Sequence, residues 1–192
     1  RAAIVTLTDL LAEAEWMEDY AAAALARVKP PRAEDGQRMG RWLSLEELHH
    51  LMQAGELIAV NQAQASRNRV VLTVLCTMAL RREELANARW GDLSKQNNRA
   101  VLRVHGKGRK VATLDVPRPV LSALDAWHAA LESSPNPLSR IVRRIWKGGH
   151  IAKQGLTPDG IWWLVDACAA AAGLGTVAPH DLRRSVAGAL HE

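Results

Sequence analysis

A basic turn between two β-branched runs is the feature that most restricts how this chain can fold. Ala100-Val101-Leu102-Arg103-Val104 and Val111-Ala112-Thr113-Leu114-Asp115-Val116 carry the side chains that favour strands, and His105-Gly106-Lys107-Gly108-Arg109-Lys110 lies between them. Two glycines in a short polar turn flanked by strand-like runs predict a β-hairpin. Pro117 and Pro119 close it. The rest of the chain has helical periodicity and is rich in Ala and Leu. The expected fold class is therefore mainly α with a small antiparallel β-sheet, an α+β arrangement.

Helix signals divide the chain in two. Residues 3 to 28 predict one helix or two short ones, and Lys29-Pro30-Pro31-Arg32 with the polar stretch to Gly40 predicts a linker. Residues 1–40 and 41–192 are thus expected to be separate domains. In the second, Ser44 and Glu47 have the spacing of a capping box, predicting a helix that Gly55 stops. Residues 66 to 79 are apolar over a wide face and predict a buried helix. A short helix is expected from Arg82 to Ala88, and an amphipathic one from Val120 to Leu131. The run Ile141 to Trp146 is compatible with helix or strand. Thr157 and Pro158 start a helix reaching about Gly173, with Trp162-Trp163 split between its buried and exposed faces. A last helix begins near Pro179.

Composition narrows the partner. The formal charge is +5, and the isoelectric point is near 9.7. Between Arg99 and Arg118 there are six Lys or Arg residues and one acid, Asp115, so the positive charge concentrates on the predicted hairpin. That suits a polyanion. Cys76 and Cys168 lie in apolar helical runs and read as reduced, buried thiols. Neither they nor the seven histidines have the spacing of a metal site, so no metal and no cofactor is expected. No apolar run is long enough to cross a bilayer, and a cytoplasmic, nucleoid-associated location is expected.

Three separated elements carry the chemistry. They are Ala79-Leu80-Arg81-Arg82-Glu83-Glu84-Leu85 with Trp90-Gly91-Asp92-Leu93, then Gly106-Lys107-Gly108-Arg109-Lys110, then Pro179-His180-Asp181-Leu182-Arg183-Arg184. In this order they resemble the boxes of the tyrosine recombinase, or phage integrase, family: Gly-Leu-Arg-x-x-Glu-Leu, Gly-Lys-Gly-x-Lys and His-x-Leu-Arg. The resemblance covers residues 41–192. It also suggests that residues 1–40 are the last helix of a DNA core-binding domain plus the linker.

The resemblance implies a bacterial or phage-encoded enzyme that cleaves and rejoins double-stranded DNA through a 3′-phosphotyrosyl link, without metal or cofactor. It implies catalytic roles for Arg81, Lys107, His180 and Arg183. Arg81 and Arg183 would clamp the non-bridging oxygens of one phosphodiester, a task suited to the planar guanidinium fork. Lys107 would protonate the departing 5′-oxygen. His180, three residues before Arg183 and so on the same helix face, would assist proton transfer. Arg82 and Arg184 read as backbone-facing or solvated charges, and Glu84 as a brace for the first arginine.

Two departures from the family pattern stand out. Ala79 occupies the usual Gly position, which is expected only to tighten the backbone. The family's nucleophilic tyrosine follows the second arginine by more residues than this sequence holds after Arg183, and Tyr20 is a poor candidate. The expectation is that the chain as given binds phosphate but cannot cleave, and is monomeric, whereas a full-length enzyme would self-associate on DNA. Two alternatives remain open at this stage: a non-catalytic DNA-binding module, and a helical interaction domain with no nucleic-acid role.

Overall fold

A computed structural model describes residues 10–27, 40–106, 108, 110–131 and 133–189. The chain divides into two units, residues 1–39 and 40–192. In the first, residues 10–13 are helical, Glu15 turns the chain at φ 60°, and helix α1 follows over Asp19–Arg27.

The second unit is built around one buried helix. Helix α2 (Leu45–Leu57) leads into α3 (Gln62–Met78), and α3 packs against α2, α5 (Arg118–Ala129) and α7 (Pro179–Ala189). Its residues Val70 through Cys76 are all buried, as the wide apolar face requires. Burying a Val or Leu side chain fully contributes about 1.5–3 kcal/mol, so this helix dominates the core. Both thiols sit in that core, and burial pushes Cys76 and Cys168 up to about 12. The helix begins four residues earlier than expected because Asn61 caps it, accepting from the Gln64 N–H at 2.9 Å.

The Ser44–Glu47 capping box is present: Glu47 N–H donates to Ser44 Oγ at 3.1 Å, and Ser44 N–H to Glu47 Oε2 at 2.8 Å. Gly55 does not stop α2. It lies inside the helix, where a Cβ would fall 2.4 Å from Leu72 Cδ1. Its missing side chain lets α3 approach, and its carbonyl accepts from the buried Asn68 amide at 2.8 Å.

The predicted hairpin forms as β2 (Arg99–His105) and β3 (Val111–Asp115), paired Val101↔Asp115 through His105↔Val111. A third strand, β1 (Leu93–Gln96), was not expected. It pairs antiparallel with β2 through the two-residue turn Asn97-Asn98, with φ 47° and 64°. A pair of left-handed residues is the geometry whose twist matches joined strands, and Asn tolerates it. The ambiguous run becomes β4 (Arg143–Ile145), which pairs with an unexpected β5 (Ile151–Gly155).

Short helix α4 (Arg82–Asn87) follows α3, and α6 (Pro158–Ala171) lies against both α2 and α4. Trp127 of α5 is fully buried and donates its indole N–H to the Ile141 carbonyl at 2.7 Å. Segment 41–43 is stitched to α7. Arg41 N–H donates to Asp181 Oδ1 at 3.0 Å, and Leu43 N–H to Ser185 Oγ at 2.8 Å. The architecture is mainly helical with small antiparallel sheets. No helix among the described residues is long and apolar enough to cross a membrane.

Ala79 ends α3 in the left-handed region, at φ 51° and ψ 33°. The substitution for Gly therefore does more than tighten the backbone: it places a Cβ against the following carbonyl, at a cost of about 1–2 kcal/mol. Ala79→Gly is expected to raise the unfolding free energy by about 1 kcal/mol after the entropy lost with glycine. In a unit of this size that corresponds to a thermal midpoint about 2–4 °C higher. An unchanged midpoint in differential scanning calorimetry would show that Ala79 carries no strain.

Candidate functional site

The left-handed turn at Ala79 sends the chain from α3 into Arg81, the N-cap residue of α4. Glu84, three residues on, is buried and returns to this turn. Its Oε2 accepts from the Arg81 backbone N–H at 2.8 Å, and its Oε1 accepts from the Arg81 guanidinium at 2.8 Å. A carboxylate at the first turn of a helix also sits favourably in the helix dipole. One residue thus fixes both the backbone and the side chain of Arg81.

The same carboxylate reaches the second arginine. Arg183 Nη1 lies 3.9 Å from Glu84 Oε2 and donates a hydrogen bond to the Ala79 carbonyl. Arg183 belongs to α7, more than a hundred residues away in sequence, and α7 is positioned by its packing on α3. Its N-terminus is closed by Asp181, whose Oδ2 accepts from the Ala178 N–H at 2.9 Å. His180 is exposed at the start of this helix.

Arg81, His180 and Arg183 line one open cleft of about 330 Å³, together with Arg82, Glu83 and Trp162. Three guanidinium groups and one carboxylate, Glu83, line it, and Glu84 lies behind Arg81. Arg82 hydrogen-bonds Glu83 at 2.8 Å and holds that carboxyl below the usual carboxylate range despite some burial. Arg82 also meets Asp159 of α6 at 3.5 Å. Arg81, by contrast, keeps half of its side chain exposed while paired to Glu84, so its free N–H groups remain open to the cleft. Such a site offers fixed cationic donors to an oxyanion.

Lys107 lies outside the described residues. The described parts of the same turn are close by. Gly106 and Lys110 line a neighbouring cleft with Arg81 and Glu84, and the turn is closed by the Gly106 N–H donating to the Lys110 carbonyl at 2.7 Å. The hairpin neck therefore lies beside Arg81, which borders both clefts. Arg184 lies with its guanidinium against Gly40.

Two features were poorly anticipated from the sequence. Trp162 is half-buried on the wall of the Arg81 cleft, and its neighbour Trp163 is exposed, the two rings meeting edge-on at 4.9 Å. The helical spacing of α6 placed Trp162 on the inward side but could not say which element it would meet. Asp92 is buried beneath β2. It accepts from the Arg89 N–H at 3.0 Å and from Arg103 and His105 at 3.3 Å. Burial pushes its carboxyl up, but those partners outweigh burial and hold it below the usual range.

The model of the phage integrase family matches residues 41–192. The fold resembles the XerH site-specific recombinase bound to a palindromic difH substrate in a post-cleavage complex, with a TM-score of 0.64 and 20% identity over 87% of this chain and 46% of that one. It also resembles the XerA recombinase, with a TM-score of 0.61 and 17% identity over 90% and 56%. The integrase from mycobacterium phage Brujita gives 0.56 and 18% over 100% and 56%. The chain spans about half the length of these structures. No curated protein matches the sequence at a significant level.

The geometry makes Glu84 the test of how the two arginines are held. Glu84→Ala leaves the Arg81 N–H without its acceptor and is expected to cost about 2–3 kcal/mol, given the worth of hydrogen bonds to charged groups. Glu84→Gln keeps an oxygen of the same reach and is expected to cost roughly half as much. Urea unfolding measures both, and a Glu84→Gln variant as stable as the unsubstituted chain would mean that the carboxylate merely fills space.

Proposed function

The chain belongs to the phage integrase family of tyrosine recombinases, and from that premise we propose that it grips a phosphodiester of double-stranded DNA for site-specific cleavage and rejoining. The observation that carries the reading is the shared carboxylate: Glu84 touches Arg81 directly and lies 3.9 Å from Arg183, at a cleft that His180 also lines. Residues from two stretches about a hundred positions apart meet there, and Arg81, His180 and Arg183 have the chemistry that phosphoryl transfer needs.

In this reading Arg81 and Arg183 donate to the two non-bridging oxygens, where charge grows as the phosphorus becomes five-coordinate. A fixed donor of this kind lowers the barrier by roughly 3 kcal/mol. His180 takes the proton from an attacking tyrosine hydroxyl. Lys107, on the hairpin turn, gives a proton to the leaving 5′-oxygen. The tyrosine oxygen becomes bonded to the 3′-phosphate, and a 5′-hydroxyl later attacks that link and releases the phenol. The natural setting would be integration or excision of a mobile element, with several protomers on two DNA sites.

The one tyrosine in this sequence, Tyr20, belongs to the 1–39 unit. That favours a narrower second reading for these 192 residues by themselves: a monomeric DNA-binding module that holds phosphate without forming a covalent link.

The clamp is tested by titrating a 30-base-pair duplex at several salt concentrations. Each neutralised phosphate contributes about −0.9 to the slope of log K against log salt. Arg81→Ala and Arg183→Ala are each expected to weaken binding about tenfold and to flatten that slope by about one. Binding that is indifferent to salt, or absent at 50 mM salt, would remove the DNA reading altogether.

The second reading makes its own forecast. Incubated with a nicked duplex that traps covalent intermediates, the 192-residue chain is expected to give no adduct that survives denaturing electrophoresis. Appearance of such an adduct would reject the module reading and assign nucleophile chemistry to this chain.

A further inference from the structure

A second cationic cleft lies under the hairpin, outside the Arg81 site. It has a volume of about 590 Å³ and is lined by Arg89, Arg103, His105 and Arg140 around the buried Asp92. Three guanidinium groups line it with one carboxylate.

The backbone enforces that surplus. Arg89 and Arg140 stand directly opposite each other in an antiparallel bridge. Residues directly opposite in such a bridge project to the same side, and like charges there repel. The bridge is no accident of a loose loop. Ile141 N–H donates to the Ala88 carbonyl at 2.9 Å, Trp90 N–H to the Ser139 carbonyl at 3.1 Å, and Gly91 N–H to the Pro137 carbonyl at 2.8 Å. A Cβ at Gly91 would fall 2.9 Å from the Pro137 oxygen, so the glycine is what lets the two segments close up.

Internal partners do not balance the charge. Asp92 offers a single oxygen, Oδ1, to both Arg103 and His105, at 3.3–3.4 Å. Strong charge-assisted bonds are shorter, at about 2.7–2.9 Å. Arg140 donates to the Asn87 carbonyl, a neutral acceptor. Among the described residues, neither Arg89 nor Arg140 has a carboxylate within ion-pair distance. The structure sets two arginines directly opposite each other in one bridge and places both on the wall of an open cleft.

We propose that this cleft is a second phosphate-binding site, which takes the DNA backbone a few nucleotides from the phosphate held by Arg81. The proposal rests on the DNA reading above. Its placement follows from two shared elements. Arg81 caps the start of α4 and Asn87, at the end of that helix, borders the second cleft. Six residues of helix span about 9 Å, comparable to the rise of two or three nucleotides at 3.4 Å each along one strand. His105 borders the second cleft and Gly106 the cleft shared with Arg81, so β2 carries the cationic surface from one to the other. A backbone phosphate between Arg89 and Arg140 would relieve their repulsion, and the site would add affinity without reading sequence.

The experiment uses the full 192-residue chain and 30-base-pair duplexes of two unrelated sequences. Arg89→Gln removes an exposed group with no acidic partner and with it the repulsion against Arg140, so its thermal midpoint should equal or slightly exceed that of the unsubstituted protein. Arg103→Gln is the second variant. Each is expected to weaken binding about 3- to 10-fold on both duplexes and to flatten the log K against log salt slope by about one. Arg81→Ala runs alongside as the separate probe of the clamp. Should Arg81→Ala lower affinity while both Gln variants keep the original slope, the second site is wrong and the clamp stands. A loss confined to one duplex would mean base contacts and would also overturn the proposal. If the unsubstituted chain shows no salt-dependent binding, both readings fail together.

Discussion

The buried carboxylate of Glu84 is the constraint from which the site is organised. A carboxylate taken out of water is costly unless its oxygens are occupied. Here the Arg81 N–H and the Arg81 guanidinium occupy them, with Arg183 within reach. The arrangement works in both directions. The arginines make burial of the acid tolerable, and the acid places two cations that would otherwise repel each other at one cleft. Arg81 is local to Glu84, but Arg183 is not, so the contact also fixes α7 against the turn after α3. Any ligand that needs both guanidinium groups needs the whole core in place first.

Much of this architecture was legible in the sequence because local signals agreed with the final packing. Ser44 and Glu47 announce a helix start whose hydrogen bonds are both present. The apolar run from Val70 to Cys76 is the core helix. The basic glycine turn lies between β2 and β3. What escaped was decided by tertiary contact. Gly55 looks like a helix stop, yet its role is to admit Leu72. Strand β1 has little β-branched content, and only the Asn97-Asn98 turn hints at it. Strand β5, Ile-Ala-Lys-Gln-Gly, carries almost no strand propensity and forms because β4 is there to pair with.

The candidate site divides in the same way. Arg81, His180 and Arg183 stand out through the resemblance of their surrounding boxes, and the fold brings all three to one cleft. Trp162 stands out by no motif. Its position on the cleft wall depends on where α6 meets α4, which helical periodicity does not encode. The Asp92 cluster was hidden for a related reason. Arg89, Asp92, Arg103 and Arg140 sit on a turn, a strand and a loop, and nothing in their spacing marks them as neighbours. The strain at Ala79 was invisible because a substitution of Ala for Gly reads as conservative until the backbone angle is known.

The two clefts differ in how they hold charge, and that difference bears on what each can do. Around Glu84 the ion pair is short and one partner is buried, so Arg81 is held in a defined place, as a catalytic donor must be. Around Asp92 the contacts are longer and shared through one oxygen, and two arginines stand directly opposite each other in a bridge. A group held that loosely cannot stabilise a transition state through geometry. It can attract and retain a charged backbone that is free to shift by a fraction of an ångström. Charge repulsion between solvent-facing arginines is softened by salt, with a screening length of about 8 Å at physiological ionic strength, so the folded chain tolerates the arrangement at modest cost. The same screening is what a bound polyanion would replace, releasing its own counterions as it does so. Precise placement at one cleft and diffuse attraction at the other are complementary demands of gripping one phosphate within a long, uniformly charged polymer.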